Sequence, residues 1–92
     1  MPRHRRNRPK RLAEKLLAIR KSLKLSQSQL VKRIGVPISA ARVSEYEHGV
    51  REPDLIVLLG YAKLAGVHME TLIDDRMELT IPDRILRKAA KR

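Results

Sequence analysis

The chain contains no cysteine, no tryptophan and no phenylalanine; Tyr46 and Tyr61 are its two aromatic residues. Without cysteine there is neither a disulfide framework nor a thiolate-bound metal, and nothing argues for an oxidising compartment, so a cytoplasmic protein is expected. With so few rings it cannot build the stacking platform on which single-stranded nucleic acid is held. No apolar run approaches the roughly twenty residues of a membrane-spanning helix, and the basic N-terminus lacks the apolar segment of a signal peptide. The three histidines, His4, His48 and His68, have no metal-ligand spacing. Asp74 and Asp75 are adjacent and point apart, and no glycine-rich phosphate loop or nucleophile motif occurs. Neither catalysis, a metal, a cofactor nor a small-molecule substrate is therefore expected.

What the chain has is positive charge: 21 Lys and Arg against 10 Asp and Glu, a net charge of +11 over 92 residues. The excess lies in the flanks. Six basic residues fall within the first eleven positions and six more lie at or after Arg76, whereas the stretch between is nearly neutral. Polyanions are the expected partners of such a chain. Residues 1–8 have no apolar residue after Met1 except a proline and are expected to form a disordered basic arm, in which Arg3, Arg5, Arg6 and Arg8 follow phosphates or enter a minor groove. Residues 9–75 form the folded domain in this reading, and 76–92 a basic C-terminal extension.

The centre of the domain is Ser26 to Gly49. Ser26 followed three residues later by Gln29 is a capping box, and Leu30, Val31 and Ile34 give the helix that follows a narrow apolar stripe. Gly35 supplies the positive φ at which it stops. Pro37 cannot sit inside a helix, so Val36-Pro37-Ile38 is a turn and Ser39 caps a second helix, Ala40 to His48. Val43 and Tyr46 are its buried positions, which leaves Arg42, Ser44, Glu45 and His48 on the rest of its circumference.

Three further helices support this pair. Pro9 suits the first turn of one whose apolar residues Leu12, Leu16, Ile19 and Leu23 recur at helical spacing and which ends near Lys24. Asp54 caps another, LIVLLGYAKLA, which is apolar nearly all round, ends at Gly66, and is expected to be the most buried element. Gly60 inside it costs stability relative to alanine, so another helix is expected to approach closely there. A short fifth helix runs from Met69 to about Asp74 with Leu72 and Ile73 facing inward and His68 at its start. In the extension, Met77, Leu79 and Ile81 alternate with polar residues as an extended segment, and Pro82-Asp83 starts a final short helix through Ile85, Leu86, Ala89 and Ala90.

Leu25-Ser26-Gln27, Gly35-Val36, the run Val43-Ser44-Glu45-Tyr46-Glu47-His48-Gly49 and Arg51-Glu52-Pro53 together resemble the Xre/Cro-type, lambda-repressor-like helix-turn-helix family. The resemblance covers roughly Leu12 to Asp74. It implies an all-α bundle of five helices that binds double-stranded DNA as a homodimer and controls transcription, with the Ala40 to His48 helix in the major groove. Ala40, Ala41, Arg42, Ser44 and Glu45 then fall at positions that read bases, while Gln27, Ser39, His48 and Arg51 suit backbone contacts. The resemblance also implies an ion pair between Arg20 and Glu47. Two departures stand out: Pro37-Ile38 look like an insertion in the turn, and Val31 occupies a position where the family usually has alanine. An antitoxin with a toxin partner, or a module that grips protein or RNA without reading sequence, stays open as an alternative.

Overall fold

In the computed structural model, which describes residues 8–90, six helices surround one core and no strand occurs among the described residues. They are α1 (Leu12–Ser22), α2 (Gln27–Ile34), α3 (Ala40–Glu47), α4 (Leu55–Ala65), α5 (Met69–Ile73) and α6 (Asp83–Ala90). Arg3, Arg5, Arg6 and His4 of the arm lie outside the described residues. Leu16 and Ile19 from α1, Leu30 from α2, Val43 from α3, Tyr61 from α4 and Leu72 from α5 are fully buried together.

Local chemistry starts and stops most of these helices. Ser26 Oγ accepts from Gln29 N at 3.0 Å while Gln29 Oε1 accepts from Ser26 N at 2.8 Å, so the capping box at the start of α2 is complete. Ser39 Oγ accepts from Arg42 N and Asp54 Oδ1 from Val57 N, which begin α3 and α4. Gly35 and Gly66 end α2 and α4 at φ +81° and +71°, the left-handed region that glycine enters without a Cβ penalty. Between α2 and α3 the chain turns on itself, with Ile38 N donating to Val36 O at 3.0 Å. His68 stands at the start of α5, but its side chain makes no capping bond.

α1 is the exception. It begins at Leu12 rather than at Pro9, and Arg11 at its N-cap supplies no side-chain acceptor. The acceptor is Asp75, whose carboxylate takes Lys10 N at 2.8 Å and Arg11 N at 2.9 Å. These two N–H groups hold the Asp75 carboxyl below its usual range. Beside it, buried Lys15 donates from Nζ to Thr71 O at 2.8 Å and Asp74 O at 2.9 Å, satisfying carbonyls at the end of α5. The two ends of the domain are thereby tied together, and an Arg11–Glu78 pair continues the tie into the extension.

Two expectations of burial need correction. α4 packs on α1, α2 and α5 from one side, and its other side is open, with Leu55 71% and Ile56 61% exposed and Leu59 exposed as well. Ile73 is exposed while Leu72 is buried. Successive residues on a helix point about 100° apart, so a single turn with one covered side cannot turn both inward. Gly60 is where the close approach occurs: a Cβ there would lie 2.9 Å from Ile34 Cγ1 and 3.0 Å from Ile34 O. Residues 76–90 pack on the same core, with Leu79, Ile81 and Ile85 against it and Ala89 buried in it.

Candidate nucleic-acid interface

Burial of Val43 and Tyr46 fixes the rotation of α3 about its own axis. Exposed Ala41 lies opposite them, with half-buried Ser44 and Glu45 to either side of it; half-buried Ala40 and exposed Arg42 stand on the two flanks, and Ser39 is exposed at the start. The five residues expected to read bases therefore span the outer half of the helix, with Ala40 and Arg42 at its two margins.

An internal network sets the angle of α3 against its neighbours. Glu47 accepts from Arg20 Nε at 2.7 Å and Nη2 at 3.0 Å, and Arg20 Nη1 donates to Leu25 O at 2.9 Å. Gln27 Nε2 adds a third donor to Glu47 at 3.1 Å. The Glu47 side chain is only 3% exposed and that of Arg20 16%. One carboxylate thus joins α1, the start of α2 and the last turn of α3, and its bonds raise the Arg20 pKa further above its ordinary value. The Gln27 amide, expected on a phosphate, spends one N–H on Glu47. Tyr61 reaches the same region, where burial pushes its phenol pKa well up and its buried hydroxyl finds no hydrogen-bond partner among the described residues. Burial also raises the pKa of Tyr46.

The outer side of α3 is braced differently. Gly49, at φ +74°, turns the chain back so that Val50 N and Arg51 N both donate to Glu45 O, at 3.0 and 3.3 Å. Arg51 Nε then donates to Glu45 Oε1 at 3.0 Å, and Arg42 Nε approaches the same oxygen to 3.4 Å. His48 Nδ1 donates to Ser44 O at 2.8 Å, since a carbonyl oxygen can only accept. Arg8, the one arm residue described, lies 3.9 Å from Glu52. Sequence spacing carries no sign of the Glu45 to Arg51 bond, because a six-residue separation corresponds to no helical neighbour, whereas Arg42 and Glu45 are a pair three residues apart on one helix. Among the described residues no group of His, Asp and Glu could hold a metal ion, and no helix is long and apolar enough to cross a membrane.

Residues 16–72 match the helix-turn-helix family. The chain belongs to that family. Its α2 and α3 are the two helices of the motif, and the fold is lambda-repressor-like, as the motif residues imply. Among solved structures it is similar to the crystal structure of the P22 c2 repressor protein in complex with synthetic operator 9T in the presence of Tl+. The two are 31% identical over 70% of this chain and 94% of the repressor chain, with a TM-score of 0.62. No curated protein matches. The short helix expected in the extension beyond the five of the bundle is α6, Asp83–Ala90.

Proposed function

We propose that the protein is a sequence-specific double-stranded DNA-binding regulator, a repressor in its simplest form, that lays α3 in the major groove. The observation that carries this is the surface of α3. A short helix, capped by Ser39 and locked through Glu47, turns Ala41, Arg42, Ser44 and Glu45 outward, in a fold shared with a repressor bound to its operator.

In this reading the methyl groups of Ala40 and Ala41 contact thymine methyls, Ser44 bonds base edges, Glu45 accepts from cytosine N4, and Arg42 pairs with a guanine or a phosphate. Gln27 through its second amide N–H, Ser39 at the start of α3, His48 and Arg51 hold the sugar-phosphate backbone. Arg3, Arg5, Arg6 and Arg8 extend the contact as a flexible arm. The protein acts in the cytoplasm and as a regulator rather than a catalyst. It works as a homodimer, since one small domain makes few base contacts and a second copy doubles them. The exposed Leu55, Ile56 and Leu59 of α4 and Ile73 of α5 support that, as apolar side chains that a second copy would cover.

Selection of bound duplexes from a random pool at about 150 mM salt, with the full chain, tests the reading. An inverted repeat with half-sites about one helical turn apart is expected. Binding without any enriched sequence would overturn it in favour of a module that grips phosphate alone.

A further inference from the structure

The reading surface contains an anion that is already engaged. Glu45 Oε1 receives Arg51 Nε at 3.0 Å and lies 3.4 Å from Arg42 Nε, and these are the two guanidiniums of α3 and the loop after it. The loop that carries Arg51 is fastened to the same residue through the main chain, by Val50 N and Arg51 N on Glu45 O. All three side chains are between 40% and 50% exposed, so the pairs are screened by water and open readily.

We infer that Glu45 determines specificity by exchanging partners: in the free protein its carboxylate holds Arg51 and Arg42, and a base-edge donor that captures it releases both guanidiniums to phosphates. This rests on the proposed placement of α3 in the major groove. The chemistry follows from what a carboxylate can do there. It accepts but cannot donate, so at cytosine N4 it gains a partner, whereas at an acceptor-rich base edge it gains none. Leaving it unpaired beside phosphates is costly, so at a wrong sequence it keeps its arginines and the complex forgoes their two phosphate contacts. Reading one base and clamping the backbone thus become a single event, and each wrong sequence is penalised at both.

Salt dependence exposes this, because each phosphate contact contributes about 0.9 to the slope of log affinity against log salt. Wild type, Glu45→Ala, Arg51→Gln, the double variant and the control Glu70→Ala are titrated against the selected operator and an unrelated duplex. Glu70 is an exposed acid of α5, so its loss changes net charge equally. The wild-type slope is expected to be steeper on the operator than on the unrelated duplex. Glu45→Ala is expected to bind the unrelated duplex several-fold more tightly, with a slope steeper by about 1 to 2 as one or both arginines reach phosphate. Glu70→Ala should leave that slope in place, and most of the gain should vanish when Arg51→Gln is added.

Three results overturn the exchange. Glu45→Ala could weaken the operator while leaving the unrelated duplex unchanged, in which case Glu45 is a plain reader and the placement of α3 stands. Glu45→Ala and Glu70→Ala could strengthen the unrelated duplex equally, in which case net charge acts alone. The gain could persist in the double variant, in which case Arg51 is not what Glu45 restrains. Failure of the underlying reading looks different: wild type itself would then show no preference for any duplex.

Discussion

Helix α3 carries two carboxylates, two residues apart, and both meet arginine. Glu47 is enclosed, bound by both Nε and Nη2 of Arg20 and by the Gln27 amide. Glu45 is 40% exposed and uses one oxygen for Arg51 and Arg42. Two steps along a helix rotate a side chain by roughly 200°, so one faces the core and the other solvent. The same pair of charged groups becomes a fixed joint on one side and an exchangeable tether on the other. Burial decides between them, since out of water a carboxylate must keep its donors, while at the surface water replaces them at little cost.

The most severe way to test this contrast is to break the enclosed joint. Arg20→Ala leaves Glu47 buried with only the Gln27 amide, and is expected to lower unfolding free energy by about 3–5 kcal/mol in urea denaturation. Small domains have about 5–15 kcal/mol in total, so the variant should melt far below wild type. Arg20→Lys, which keeps the charge but loses the two-pronged geometry, should recover part of it. A loss under about 1 kcal/mol would put Glu47 in the same class as a surface pair.

What the sequence reveals and what it hides divide along the same line between local and distant chemistry. Ser26 with Gln29, Ser39, Asp54, Gly35 and Gly66 were legible because each acts on backbone within a few residues of itself. The leucine and isoleucine spacing of α1 was legible because its period is helical, and Gly60 because a glycine inside a helix needs a reason. The Arg20 to Glu47 pair came from the motif's resemblance rather than from spacing. Asp75 capping α1 from 64 residues away had no local signature, nor did Lys15, a charged residue on the buried side of α1. The openness of α4 was hidden for a related reason: apolar composition says which side chains prefer burial, not how many neighbours exist to cover them. On the DNA-facing side, the rotation of α3 followed from Val43 and Tyr46, but the return of the loop onto Glu45 depends on Gly49 and became visible only in three dimensions.

A smaller effect of opposite sign sharpens the enclosed side of the comparison. Tyr61 packs into the region of Arg20 and Glu47, yet its hydroxyl has no hydrogen-bond partner among the described residues. A buried polar group without a partner costs about 1–3 kcal/mol, and replacing it by an apolar group of the same shape removes that cost. Tyr61→Phe is therefore expected to raise stability by about 1 kcal/mol, read as a higher melting temperature with the ring packing unchanged. A fall of similar size would show that the hydroxyl contributes a bond, and the Arg20 to Glu47 joint would then include a fourth member.

The least effect is expected where the tether is cut. Glu45→Ala removes two exposed ion pairs, each worth under about 1 kcal/mol, and replaces glutamate by the best helix former. The main-chain acceptor for Val50 and Arg51 is the Glu45 carbonyl, which alanine retains, so the loop keeps its fold. Stability should change by less than about 0.5 kcal/mol in the same urea titration that finds Arg20→Ala crippled. That null result matters for function as much as the large one does for structure. Only a pair that contributes almost nothing to folding can open for DNA without loosening the domain. A loss above about 1.5 kcal/mol would place Glu45 beside Glu47 as a structural residue and deny it the freedom to change partners.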